Sequence, residues 1–592
     1  MVTERLAAVR RLMAEKGVDA LIVPTADPHQ SEYVGEYFKA RAWLSGFTGS
    51  AGTLAVMADE AGLWTDGRYF IQAERQLAGS GVTLYRMGVE GVPTMEEFLL
   101  DKIPANGKLA FDGRVIAGKE GRSLAEKLAK KGVVLAVHED LVGMAWKDRP
   151  AMSCTPAFLL EERYAGRSAK EKLAGIRKTM AEKQADTHLL TTLDDIAWLL
   201  NIRADDVACT PVLLSYALVT MDEAFLYVNP NAIGETVKTS LSEAGVTLRP
   251  YDAIYSEDFS GKRVLLDTAK VNFALLEKMG SAVLIDETNP EQLMKAVKNK
   301  TEIENLRHSH IRDGVAVTKF MYWLKQNVGK NTITECSAAD YLESLRQEQE
   351  GFIEPSFHTI SAYGPNAAMM HYSASPESDA QLKPTGLYLV DSGGQYYEGT
   401  TDITRTIALG PISDAERCHF TAVCRSVLAL QNARFLYGCR GINLDILARG
   451  PIWELGIDYR CGTGHGVGYL SGVHEAPNGF RWKIVPERND SAVLEAGMVT
   501  TDEPGVYIEG SHGIRTENEL LCCKGEENEY GQFMYFETLT FAPIDLDALD
   551  PDAMTCREKG WLNSYHQQVF EKISPFLTPE EAEWLKQYTR PI

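Results

Sequence analysis

The chain has 592 residues, 45% of them hydrophobic and 24% charged, which is too long for one core and sets an expectation of two to four domains in a soluble protein. Its 60 Lys and Arg against 82 Asp and Glu leave a net charge of −22. That balance argues against a phosphate-binding surface, so no nucleic-acid partner is expected. The chain has no apolar run of about 18 residues, and no membrane span is expected.

The N-terminal stretch MVTERLAAVRRLMAEKGVDALIV reads as an amphipathic helix running into a strand, without the apolar core of a signal peptide. The 10 cysteines are scattered and form no CxxC pair. Free thiols and a cytoplasmic location are the expectation. Further along, LAGIRKTMAEKQADTHLL (Leu173 to Leu190) echoes LAAVRRLMAEKGVDALIV (Leu6 to Val23), and each copy is followed by AWL and another strand-like run. Helix, strand, AWL, strand in the same order twice predicts two related α/β domains. Pro150 and Pro156 punctuate the end of the first copy, and Pro290 precedes the long charged helix that opens a third region. The expected domains are 1–152, 153–292 and 293–592.

The third region alternates strand-like runs at Gly386–Val390, Ile403–Leu409, Met498–Thr501 and Leu520–Cys523 with a helical pattern over Ala415–Ala433, an α+β arrangement. Its tail, from Pro551, carries two short amphipathic helices expected to pack on the body. Within it, VDSGGQYYEGTTDITRT (Val390 to Thr406) reads as strand, turn, strand with its centre near Tyr396–Tyr397. This hairpin places Asp391 roughly opposite Asp402, about 4.5–5.5 Å apart on one face. Two like charges held so close require a cation between them or a shared proton.

Other polar residues in this region sit at strand ends or in glycine-rich turns: His371 in AAMMHYSA, His465 and His474 in CGTGHGVGYLSGVHEAP, Glu503 in VTTDEPGVY and Glu517 in GIRTENELLC. Singly, each reads as a turn residue or a solvated strand end. Jointly, two Asp, two Glu and one His match two divalent cations, since four carboxylates carry −4 against +4. Oxygen-rich ligation with one imidazole favours Mn²⁺, Fe²⁺ or Co²⁺, and leaves Zn²⁺ open. Paired cations lower the pKa of bound water from about 15.7 toward 7 and polarise a carbonyl, so hydrolysis is the expected chemistry.

At these residues the sequence resembles the pita-bread metallopeptidases, and most of all their long, three-domain aminopeptidase P branch. The motifs NAAMMHYSA, VDSGGQYYEGTTDITRT, GTGHGVGYLSGVHE, TDEPGVY and GIRTENELL appear in that family's order. FTGSAGTLAV, LWTDGRYFIQA and the tail WLNSYHQQV resemble its outer regions, so the likeness covers nearly the whole chain. The resemblance implies two creatinase-like α/β domains before a pita-bread α+β catalytic domain. It implies metal ligation by Asp391, Asp402, His465, Glu503 and Glu517, with Asp402 and Glu517 bridging. It also implies an exopeptidase that removes the residue before a penultimate proline by attack of a metal-bridging hydroxide. His371 and His474 are implied to face the substrate and stabilise charge. Mn²⁺ is the expected metal, with Co²⁺ or Zn²⁺ as alternatives, and a homodimer is the expected assembly.

Glu503 is expected to take the proton of the bridging water and pass it to the proline nitrogen. Arg515 shares a strand face with Glu517 and is expected to hydrogen-bond a ligand carboxylate, the alternative being an ordinary surface arginine. One departure is Cys461, where many relatives carry histidine; a thiol is a weaker donor and open to oxidation. The competing readings are a prolidase, limited to Xaa-Pro dipeptides, and a peptide-binding module that keeps the fold without chemistry.

Overall fold

The computed structural model describes residues 1–485 and 488–592. The chain divides into two compact units, one formed by Met1–Leu160 with Arg167–Glu291 and the other by Glu161–Gly166 with Gln292–Ile592.

The first unit contains two six-stranded sheets with the same wiring. In one, Ala20–Pro24 is flanked by antiparallel Thr53–Met57 and parallel Lys108–Ala110; Ala61–Thr65, Thr83–Arg86 and Val134–Ala136 complete it. In the other, Thr187–Leu190 is flanked by antiparallel Ser215–Thr220 and parallel Arg263–Leu266; Ala224–Val228, Val246–Pro250 and Val283–Asp286 complete it. The two MAEK helices, Val2–Lys16 and Ala169–Glu182, each feed the strand that sits inside its sheet. Their buried faces, Leu6, Val9 and Met13 against Leu173, Ile176 and Met180, recur at i, i+3, i+7. The echo read in the sequence is thus a repeated topology.

In the second unit the helix starts follow from capping. Asn299 with Glu302 opens Lys300–Asn327, Ser413 with Glu416 opens Asp414–Gln431, and Thr555 with Glu558 opens Cys556–Ile573. Phe320, Met321 and Leu324 of the first, Phe420 and Val423 of the second, and Leu562, Val569 and Ile573 of the third share one core with Val390, Ile403 and Ile407. Trp584 and Leu585 of the last helix, Pro579–Tyr588, enter the same core, so both tail helices pack on the body.

Two antiparallel sheets carry the polar residues. Leu387–Ser392 lies between Ile360–Tyr363 and Ile403–Ala408. The six-stranded sheet includes Glu475–Phe480, Gly464–Gly466, Val499–Asp502 and Asn518–Asn528 as consecutive neighbours. The ten cysteines, all described, are thiols rather than disulfides.

The hairpin differs from expectation in register. Asp391 pairs with Thr404 and Ser392 with Ile403, and Tyr396 pairs with Gly399 beyond the turn. Continuing that register sets Asp402 opposite Gly393, so the two aspartates are diagonal neighbours on one face rather than directly opposed. The cause is a turn centred on Tyr397–Glu398, one residue later than expected. The ribbon leaves one sheet and joins another near Gly393, where a Cβ would lie 1.8 Å from the Thr401 carbonyl oxygen. Only glycine allows that crossing.

Candidate metal centre

Four segments converge. Asp391 is the penultimate residue of Leu387–Ser392, and Asp402 precedes Ile403–Ala408. Glu503 follows Val499–Asp502, and Glu517 precedes Asn518–Asn528. Thr501 pairs with Glu519 and Asp502 with Asn518, so the continued register brings Glu503 beside Glu517. His465 lies in the short strand Gly464–Gly466, whose close approach is set by Gly464: a Cβ there would meet the Thr501 carbonyl oxygen at 1.8 Å.

Ligand atoms from Asp402, His465 and Glu517 all lie within 4.8 Å of one another. His465 Nε2 is 3.5 Å from Asp402 Oδ2 and 3.5 Å from Glu503 Oε1. His465 Nδ1 lies 2.9 Å from the carbonyl oxygen of Gly466. A carbonyl only accepts, so Nδ1 carries the hydrogen and the Nε2 lone pair faces the carboxylates.

Asp391, Glu503 and Glu517 are each held by one edge. Thr404 Oγ1 donates to Glu517 Oε2 at 2.6 Å, and Thr501 Oγ1 donates to Glu503 Oε1 at 3.3 Å. Arg515 donates to Asp391 Oδ2 at 2.5 Å, to Thr404 Oγ1 at 3.1 Å and to the Tyr507 hydroxyl at 2.6 Å. The opposite oxygens, Asp391 Oδ1, Asp402 Oδ1 and Glu517 Oε1, are buried with no hydrogen-bond partner. Burial, then the charges of Asp391 and Glu503, push the Asp402 carboxyl well above the usual range. Burial, then Asp402, Glu503 and Asp391, do the same to Glu517. Buried carboxylates without donors are costly unless a cation meets them. The oxygen-rich donor set with one imidazole lone pair turned inward fits divalent cations.

The remaining predicted residues lie around this cluster. His474 is half-buried and meets the His465 ring edge-on, with centroids 4.2 Å apart at 90°. His371 is half-buried three residues past the turn Gly364–Ala368, which packs on His512–Arg515; it is outside the group of converging ligand atoms. Cys461 is partly buried; burial first and the Glu503 charge second push its thiol up to about 11.

Sequence reasoning passed over the groups that hold this cluster. Thr404 and Thr501 alternate with their neighbours on strand faces that look uniformly buried. Glu519 and His310 are both buried, at 0% and 2% exposure. A signal was available in ENELL, since period two puts Glu519 on the same inward face as Glu517. His310 likewise occupies an apolar-stripe position, one turn after Leu306.

Models of the creatinase/prolidase N-terminal domain match residues 5–141 and 148–302, the metallopeptidase family M24 model matches 304–524, and the model of its C-terminal region matches 532–592. Aminopeptidase P2 of Arabidopsis thaliana is 38% identical over all of this chain and 89% of its own length. A probable Xaa-Pro aminopeptidase P of Laccaria bicolor is 38% identical over all of this chain and 94% of its own. The crystal structure of X-prolyl aminopeptidase from Caenorhabditis elegans, described as a cytosolic enzyme with a di-nuclear active site, superposes with a TM-score of 0.94 at 31% identity over the whole of both chains. The chain therefore belongs to the M24 metallopeptidases and, among them, to the Xaa-Pro aminopeptidase P group. Its fold is two creatinase-type N-terminal domains followed by a pita-bread domain.

Proposed function

We propose that this chain is a metal-dependent aminopeptidase that releases the N-terminal residue from peptides with proline in second position. The observation that carries the reading is the inward convergence of carboxylate oxygens without donors and one imidazole lone pair, at the family's motif positions. Asp391, Asp402, His465, Glu503 and Glu517 would hold two divalent cations, with Mn²⁺ as the proposed metal and Co²⁺ or Zn²⁺ as alternatives; Asp402 and Glu517 are proposed to bridge. Such a pair, when bound, acidifies a water and polarises the scissile carbonyl.

The chain's own residues do the rest. Proline's nitrogen has no hydrogen in the peptide and must gain a proton to leave. Glu503 is the proposed carrier of that proton. It is half-buried, and Thr501 anchors one carboxylate oxygen at 3.3 Å. His474, ring edge against His465, is proposed to donate to the developing oxyanion, and His371 to orient the substrate. Arg515 fixes Asp391 through a three-partner guanidinium.

The domain limits 1–152, 153–292 and 293–592 belong to the same proposal, supported by the two repeated sheets and the unit boundary after Glu291. A cytoplasmic location is proposed from the nematode relative. Among the described residues no helix is long and apolar enough to cross a membrane. A homodimer is proposed from a surface on which Ile446, Trp453, Trp482 and Ile484 are exposed, with Trp453 and Trp482 in ring contact at 6.2 Å.

The test compares an Xaa-Pro-Xaa tripeptide with an Xaa-Pro dipeptide under Mn²⁺. Release of the first residue from the tripeptide is expected. Cleavage of the dipeptide alone would make the protein a prolidase, and cleavage of neither, with metal bound, a peptide-binding module.

A further inference from the structure

We propose that Glu519, backed by His310, is a positioning residue that sets where Asp402 presents its carboxylate. The inference rests on the metal-centre reading above and extends it to two residues that touch neither substrate nor cation.

Asp402 lies outside the ladder, between the strands Gly399–Thr400 and Ile403–Ala408. Its buried main-chain N–H therefore needs an acceptor from elsewhere. Glu519 Oε1 supplies it at 2.7 Å. The same oxygen is 3.1 Å from His310 Nε2, and His310 Nδ1 is 2.7 Å from the Leu306 carbonyl oxygen. The imidazole is thus held at one end by a carbonyl fixed in the helix Lys300–Asn327, while its Nε2 faces Glu519 at ion-pair distance without an aligned hydrogen bond. A single carboxylate so ties together that helix, the strand that begins just after Glu517 and the link carrying Asp402.

An apolar residue would be the ordinary occupant of position 519, which has no exposure and neighbours Leu520 and Leu521. A buried ion pair is a poor source of stability compared with well-packed apolar groups. Its presence one strand step from Glu517 is explained if its work is orientation. Loss of such a supporting contact ordinarily weakens metal affinity by about 10- to 100-fold.

The experiment measures thermal midpoint and Mn²⁺ affinity by calorimetry on chelator-stripped full-length chains: wild type, Glu519→Leu, His310→Leu, the double Leu variant and Glu519→Asp. Each single Leu variant is expected to lose stability by stranding its partner. The double variant removes both charges and is expected to recover part of the midpoint lost by Glu519→Leu, staying below wild type because the Asp402 N–H has no acceptor, while binding Mn²⁺ at least about tenfold more weakly. A wild-type affinity in the double variant would reduce the pair to a structural one and overturn the proposal. If the Leu variants do not fold, Glu519→Asp decides. It keeps the charge but withdraws the oxygen by about 1.5 Å, one carbon–carbon bond. Tenfold weaker binding is expected, and an unchanged affinity overturns the proposal. A wild-type chain that takes up no Mn²⁺ would refute the metal-centre reading instead.

Discussion

Replacing Arg515 separates its charge from its geometry. The guanidinium is 3% exposed and serves Asp391, Thr404 and Tyr507. Arg515→Met strands the Asp391 carboxylate, 7% exposed, among other carboxylates. Breaking a buried pair from one side costs about 3–5 kcal/mol. Arg515→Lys keeps the cation but loses the planar fork, and with it the bonds to Thr404 and Tyr507, at about 1 kcal/mol each. The expected deficits are therefore about 4 kcal/mol for Met and about 2 kcal/mol for Lys in the metal-free protein. Chemical denaturation of chelator-treated chains, read by hydrogen exchange in peptides covering residues 388–406 and 512–520, measures both. Saturating Mn²⁺ supplies Asp391 with another counter-charge, so the Met deficit is expected to shrink on loading. A Met variant as stable as wild type, or a Lys variant less stable than Met, would refute the reasoning.

Glu503→Gln should lower turnover by about 10²–10⁴-fold, with peptide still bound; turnover near wild type would remove Glu503 from the proton path. His566 accepts the Ile544 N–H and is held down to about 3 by burial first and then by Arg405 and Arg590. A lowered folded pKa makes its contribution complete above the unfolded value of 6.5 and lost as pH falls toward 3. Wild type should therefore lose about 1.4 kcal/mol per pH unit from this group between pH 6 and 4. His566→Gln should flatten that slope in denaturation at several pH values, and an unchanged slope would contradict it. With its thiol raised from 9.0 to about 11, Cys461 should have about a hundredfold less thiolate at pH 8 than its ordinary pKa would give. In timed alkylation followed by mass spectrometry it should lag far behind the exposed Cys154, Cys418 and Cys556; early labelling would contradict this.

The outline of the fold was legible because its signals are local. Amphipathic patterns mark the helices, and the repeated order around MAEK and AWL foretold two sheets of one topology. Asp391 and Asp402 could be assigned to one face from strand period alone. Their pairing could not, because it depends on whether the turn is centred on Tyr396–Tyr397 or one residue later, on Tyr397–Glu398, and strand period does not fix that. Arg515 was readable from its two-residue spacing to Glu517. The role of Glu519 was not, since its partners, His310 and the Asp402 main chain, are distant in sequence and meet only through tertiary packing. Buried polar residues inside apolar runs, such as those in ENELL, carry more information about a site than the runs themselves.

The central claim is that Asp391, Asp402, His465, Glu503 and Glu517 together hold two cations that hydrolysis requires. The direct measurement is calorimetric titration of the stripped chain with Mn²⁺, paired with tripeptide cleavage at each point. The account predicts two ions per chain and activity that rises with their binding. Full cleavage by metal-free protein, or saturation without any of the five side chains being needed, would contradict it.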